Sequence, residues 1–401
     1  MAAPLRSHTA IRSRGPISKL RSPSSAASTR AAPSRSALLY STSIRWAIDA
    51  VLALCPTITI RGIADDCFFC GPLPDVLRAL DLYKIELAKQ SQVLQTTKTV
   101  IYLPSTPTTN GTASIAAQCA ARSYTAGPGF LAAGSPIGDR AFCIDAVSSL
   151  FQGIASKLAA VCSLAVVFPK PQELYRLMRY CITPSSVGYL LRTTPPDLIA
   201  LQASIFDDAT FHTILGILGV PNDDPVWNPQ SPTGIVSAAV AHVDACAGGL
   251  GITSALSASA AAYSASLFLT MHLITPILPD GITPEAMALL FPTVAAVLSS
   301  PTRPDKLEHV TFDTLRTTPV SKVQRALAPA IRRSATERVL ALILNPAERA
   351  TFLSGLGNGA LWLMGRPRFE APLAPNQWSI LVKSRLLLST VTGCICQGQL
   401  R

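Results

Sequence analysis

Acidic residues are missing from the first 48 positions of this 401-residue chain, charged residues make up only 14% of it, and aromatics 6%. With 49% hydrophobic content, the low charge excludes a purely disordered protein, and the length suffices for two or three domains with sizeable cores. No Asp, Glu, Lys or Arg occurs between residues 245 and 279, long enough to span a bilayer. That stretch is built from Ala, Ser and Gly, with His272 inside it and Pro276 near its end, which reads as a buried helix and not as a membrane span. Repeats of fixed period are absent, so a solenoid is not supported. The ten cysteines follow no framework spacing and lie mostly in apolar runs (Cys119, Cys143, Cys162, Cys181, Cys246), as reduced, buried thiols do. The five histidines are scattered singly, with no hydrolase pattern around them.

What charge there is lies unevenly. Residues 1–45 carry eight Arg or Lys and no acid, residues 46–300 carry twelve basic against seventeen acidic, and residues 301–401 carry fourteen against six. Basic ends suit phosphate contacts as well as plain solubility. The first 37 residues, rich in Ser, Arg, Ala and Pro, read as a disordered basic leader. Its composition fits an organellar transit peptide, implying mitochondrion or plastid, and fits equally a translated non-coding junction, implying nucleus or cytoplasm.

After a helix around Ile44–Leu54, ended by Cys55-Pro56, the run Thr57–Ile63 alternates with β-branched residues, then come Ala64-Asp65-Asp66 and Cys67-Phe68-Phe69-Cys70-Gly71. This spacing predicts strand, tight turn, strand. Val76, Leu80, Tyr83 and Leu87 then recur at helical spacing behind Pro74, Thr99–Leu103 reads as a short strand, and Pro104–Thr112 as a loop. Beyond about residue 140 the segments are helix-compatible and broken by prolines; a last helix is expected near Trp378–Leu388. The fold class is therefore α+β: a hairpin-and-helix unit, then a mostly α-helical region.

Two adjacent carboxylates at a hairpin tip can hold divalent cations for phosphoryl transfer, and oxygen ligands suit Mg²⁺. An exposed polar β-turn explains three residues equally well. Cys67-Phe68-Phe69-Cys70 has redox or zinc spacing but no second ligand pair, and reads as packing residues. Gly249-Leu250-Gly251 faintly matches a dinucleotide loop, without a preceding strand. Trp362, Trp378, Phe352 and Phe369, interleaved with Arg366, Arg368, Lys383 and Arg385, could form a stacking and phosphate-contact surface, or an ordinary helical subdomain with a solvated basic face.

In order and spacing, these segments resemble the C-terminal part of a eukaryotic retrotransposon reverse transcriptase. Ile63-Ala64-Asp65-Asp66 with Phe68–Pro72 resembles its Tyr-x-Asp-Asp hairpin, Lys98 falls at its Asn-Pro-x-Lys box, and Gly134-Ser135-Pro136-Ile137-Gly138 resembles its primer grip. Arg179–Cys181, Tyr189–Thr193, Phe206-Asp207, Gly248–Ile252 and Ala261–Ser266 resemble segments that follow the palm, and Cys394-Ile395-Cys396 the start of a Cys/His segment. The resemblance runs from about residue 38 to 396. It implies a truncated polymerase palm at 38–140, a helical thumb or connection-like region at 141–300, and a basic helical C-terminal region at 301–401. It further implies Asp65 and Asp66 as metal ligands for Mg²⁺, Lys98 as proton donor to the leaving pyrophosphate, and Gly134 with the basic tail against an RNA or DNA template-primer. No membrane and no small-molecule cofactor enter this reading. The family's third carboxylate comes from an earlier palm strand, and no acid precedes Asp49, so the expectation is a catalytically incomplete fragment. The alternative is a domesticated nucleic-acid-binding or structural protein sent to an organelle.

Overall fold

The computed structural model describes residues 9–14, 34–63, 66–103, 109–221, 228, 231–278, 282–301, 303–356, 363 and 374–387. They fall into two compact units, 1–146 and 147–401.

The first unit is built on a five-stranded sheet. Its elements run β1 (Thr9–Arg14), α1 (Ser34–Leu54), β2 (Thr59–Ile63), β3 (Asp66–Gly71), α2 (Leu73–Lys89), a 3₁₀ turn (Thr96–Lys98) and β4 (Val100–Tyr102). Then come α3 (Thr109–Ala120), β5 (Thr125–Gly127), and the hairpin β6 (Gly129–Ala132) and β7 (Ser135–Gly138). The strand order is β2-β3-β1-β4-β5. Strand β1 is antiparallel to both β3 and β4, β2 is antiparallel to β3, and β4 and β5 are parallel. Up to β4 this is β-α-β-β-α-β with two interleaved split β-α-β units, the ferredoxin-like pattern.

The β2–β3 hairpin, α2 and β4 stand where the residue pattern predicts them. Pro74 takes a permitted first-turn position of α2, Asp75 complements the helix's positive end and Lys89 its negative end. Val76, Leu80, Tyr83 and Leu87 turn to a core shared with Ile44, Ala47 and Val51 of α1 and with Ile60, Cys67 and Phe69 of the sheet. Phe69 meets the Tyr83 ring edge-on at 5.2 Å. On the other face of the sheet Phe68 and Tyr102 meet Phe130 of β6 at 6.0 and 6.2 Å. Helices thus cover one face and the small hairpin the other. The Pro104–Thr112 loop is shorter than expected: α3 begins at Thr109, and residues 104–108 lie outside the described residues.

Within the segment expected to be a disordered leader, Thr9–Arg14 form the strand between β3 and β4, and residues 1–8 and 15–33 lie outside the described residues. Only Thr9 and Ile11 in Thr-Ala-Ile-Arg-Ser-Arg signal a strand locally; the pairing with two neighbours supplies the backbone partners that composition does not reveal.

The second unit is helical, and the boundary falls within α4 (Arg140–Val167). It continues with α5 (Pro171–Leu177), a π turn (Met178–Ile182), α6 (Thr183–Thr193), α7 (Pro196–Ile217), α8 (Pro232–Ala241) and α9 (Ala255–Ile274). After these come α10 (Pro284–Leu290), α11 (Pro292–Leu298), a 3₁₀ turn (Asp305–Leu307), α12 (Phe312–Thr317), α13 (Val323–Leu342), α14 (Pro346–Ser354) and α15 (Pro375–Arg385). The expected division at residue 300 is not a division of the core. One cluster joins Val147 and Phe151 to Val339, Phe352, Trp378 and Leu386, and a second joins Phe268 and Met271 to Leu307, Leu315 and Val323.

Helices α4 and α9 are both long and apolar enough to cross a membrane by length and composition. In α9 the small residues Ala255, Ala258, Ala261 and Ala262 are buried, while Leu256, Leu269 and Leu273 are exposed. Its N-terminus is held by Asp207 of α7, whose carboxylate accepts from Ala255 N at 2.7 Å, Leu256 N at 3.2 Å and Ser254 Oγ at 2.6 Å. An acid here satisfies otherwise unpaired helix amides and complements the dipole. Asp207→Ala is expected to lower the stability of this unit by about 1–3 kcal/mol, measured as a shift in denaturant midpoint at unchanged slope.

Candidate active site and basic surfaces

Asp66 opens β3. Its register partners are Ile63 on β2 and Arg14 on β1. Strand alternation puts Asp66 on the face of Phe68, away from Cys67 and Phe69, which point to the helices. The acid is buried at 5% exposure, so it does not stand in an open groove. Ala64 and Asp65 lie outside the described residues. Lys98 is exposed at the end of the 3₁₀ turn leading into β4.

The resemblance implies Mg²⁺ at the acidic pair. A two-metal site needs several carboxylate oxygens converging on two ions. Among the described residues no three of His, Cys, Asp and Glu come together to hold a metal, and the β1 register position opposite Asp66 is Arg14 and not an acid. Asp49, the nearest upstream acid, is paired with Arg45 at 2.9 Å on the surface of α1. Among the described residues the donors for a metal pair are not assembled, and Asp65 lies outside them.

Cys67 and Cys70 are three apart on one strand and so point to opposite faces. Cys67 Sγ lies 3.3 Å from the Tyr83 hydroxyl, and burial raises the Cys70 pKa. They pack; they do not chelate together. Cys394 and Cys396 lie outside the described residues.

Gly134 lies in the two-residue β6–β7 turn, where Ala133 has φ 48° and Gly134 φ 86°. Positive φ at both positions is what a tight hairpin of this hand requires, and it accounts for a glycine there.

The expected basic, aromatic tail divides. Arg366, Arg368, Trp362 and Phe369 lie outside the described residues. Phe352 and Trp378 are 1% exposed and belong to the core, so they offer no stacking platform. Lys383 is half-buried on α15. Arg385 was expected to contact nucleic acid, and this is corrected: it is 8% exposed and donates to main-chain carbonyls. Nε reaches Gly248 at 3.1 Å and Gly249 at 2.8 Å, while Nη2 reaches Ala245 and, at 3.0 Å, Gly355.

The same contacts dispose of the dinucleotide-loop match. In the 248–252 loop the carbonyls turn to cations: Arg385 takes those of Gly248 and Gly249, and Arg179 that of Leu250 at 3.2 Å. The Gly249, Leu250, Gly251 and Ile252 amides all donate to the backbone between Val240 and Asp244. Such a loop has no row of free N–H groups for a pyrophosphate. Tyr175 Oη also donates to the Leu250 carbonyl, and burial pushes its pKa up to about 12 despite the neighbouring Arg179.

Two features escaped the sequence reading. A cavity of about 360 Å³ lies between α9, α13 and the 242–254 segment, but several of its polar groups are engaged within the fold. Arg332 pairs with Asp244 at 3.2 Å, His242 Nδ1 sits 3.2 Å from the Ile252 carbonyl, and Ser254 is bound by Asp207. The other is a basic groove along α13, whose sequence signal was present in the spacing of Lys322, Arg325 and Arg333. No protein-family model matches the chain, and no curated protein matches it.

Proposed function

We propose that the chain is a remnant of a reverse-transcriptase-like polymerase, derived from the C-terminal half of the catalytic region and unable to copy a template by itself. The observation that carries this reading is the hairpin β2–β3 with Asp66 at its tip, set in a β-α-β-β-α-β sheet beside β1. In this reading β1 takes the place of the earlier palm strand, and Arg14 stands opposite Asp66 where the resemblance calls for a further carboxylate. Burial of Asp66 closes the approach of a primer end. Lys98 keeps the exposure that a proton donor needs, but among the described residues no metal site is assembled for it to serve.

The test is primer extension on an RNA template with Mg²⁺ by the full chain beside its Asp65→Ala/Asp66→Ala variant. Equal, background-level incorporation is expected from both. Extension by the unmodified chain above the double variant would falsify the incompleteness proposed here.

The second reading, a domesticated nucleic-acid-binding protein, is favoured by one observation, the basic groove along α13.

A further inference from the structure

Lys322, Arg325, Arg332 and Arg333 fall on the side of α13 that faces the Asp305–Leu307 turn, and a groove of about 1220 Å³ lies between turn and helix. Gln324, Ala328, Ile331 and Ala335, on the other side of the helix, face the smaller cavity. The groove is lined by six cations, Arg303, Lys306, Lys322, Arg325, Arg332 and Arg333, against the two acids Asp305 and Glu337, an excess of four.

Two of the six are occupied within the fold. Arg303 donates to the carbonyls of Leu298 at 2.8 Å, Val310 at 3.3 Å and Glu308, and Arg332 pairs with Asp244. The side chains of Lys306, Lys322, Arg325 and Arg333 are exposed and enter no hydrogen bond or ion pair among the described residues. Holding like charges together costs free energy that an anion can recover.

We propose that this groove holds a single nucleic-acid strand by its phosphates, without regard to base sequence. Lys322 to Arg333 spans about 16 Å of helix, longer than one phosphate group, so a polyanion fits better than a lone phosphate. No aromatic, Asn or Gln lines the groove, so it offers neither stacking nor base-edge readout. Its concave form and the lack of a large exposed apolar side chain in its lining suit a strand and not a flat bilayer. The inference deepens the second reading, with which it shares the groove, and stands apart from the polymerase ancestry.

The experiment is fluorescence anisotropy of labelled oligo(dT) titrated with the full chain over a range of salt. Each phosphate contact to a single strand contributes about 0.7 to the slope of log K against log salt, so Lys306→Ala/Lys322→Ala/Arg325→Ala/Arg333→Ala should flatten the slope by about 2.8. A second variant, Arg78→Ala/Lys84→Ala/Lys157→Ala/Lys170→Ala, removes equal charge from exposed sites elsewhere and should leave the slope little changed. Affinity should be alike for oligo(dT) and oligonucleotides of mixed sequence. The proposal is overturned if the groove variant keeps the wild-type slope, if both variants flatten it equally, or if binding follows base sequence. It is overturned too if the four groove residues govern binding to phosphatidylserine vesicles and not to the oligonucleotide.

Discussion

Arg385→Leu is expected to cost the helical unit about 3–5 kcal/mol, the range of exceptional, diagnostic substitutions, and to leave it largely unfolded at moderate temperature. The reason lies in what the guanidinium holds. Four main-chain carbonyls, from Ala245, Gly248, Gly249 and Gly355, converge on two of its nitrogens inside the core. Each carbonyl left without a donor after the substitution carries a desolvation cost of about 1–3 kcal/mol. Leucine fills much of the volume but offers no donor. Burial lowers the Arg385 pKa from its ordinary value, with Tyr175 acting against that shift, and the side chain stays a cation through the neutral range. Glycine at 248 is itself required, because φ is 95° and an added Cβ would stand 2.8 Å from the Phe352 carbonyl. Arg385→Lys retains charge but loses the planar fork, so it should recover only part of the loss. Chemical unfolding of the three proteins followed by circular dichroism measures the difference. A loss below about 1 kcal/mol for Arg385→Leu would mean that the loop finds other partners and that the clamp is not structural.

The contrast between Arg385 and α2 marks what local pattern can reveal. Val76, Leu80, Tyr83 and Leu87 repeat within a few turns of one helix, and Pro74 and Lys89 mark its ends, so every determinant of α2 is near in sequence. The β2–β3 hairpin is legible for the same reason, since alternation and a short polar turn are local. Arg385 sits 137 residues from its Gly248 partner, and an arginine among Leu, Val and Lys reads as surface until that partner is known. Trp378 and Phe352 follow the same logic in reverse: aromatics beside basic residues suggest a stacking surface, but the core they enter is assembled from α4 through α15. At the candidate site the acidic pair could be found from its spacing, while the burial of Asp66 and the identity of its β1 neighbour could not, because both depend on which strand pairs with β3.

Ile11→Pro should disrupt the first unit by about 3 kcal/mol or more, the scale of a proline forced into a regular element. Residue 11 is paired on both sides, with Phe69 of β3 and Ile101 of β4, and proline has no amide to donate to either ladder. The strand is central, so its loss does more than fray an edge: it opens the facing edges of β3 and β4 at once and separates the β2–β3 hairpin from β4 and β5. Amide exchange reads this directly. Protection at Cys67–Cys70 and Val100–Tyr102 should collapse in Ile11→Pro and persist in Ile11→Val, which keeps the amide and a β-branched side chain. The same collapse is expected when residues 1–14 are removed, as any processing within the basic segment would do if it cut beyond Arg14. Unchanged protection in both altered chains would place β3 and β4 in a sheet that does not need β1, and with it would go the pairing of Arg14 opposite Asp66 on which the incompleteness of the candidate site depends.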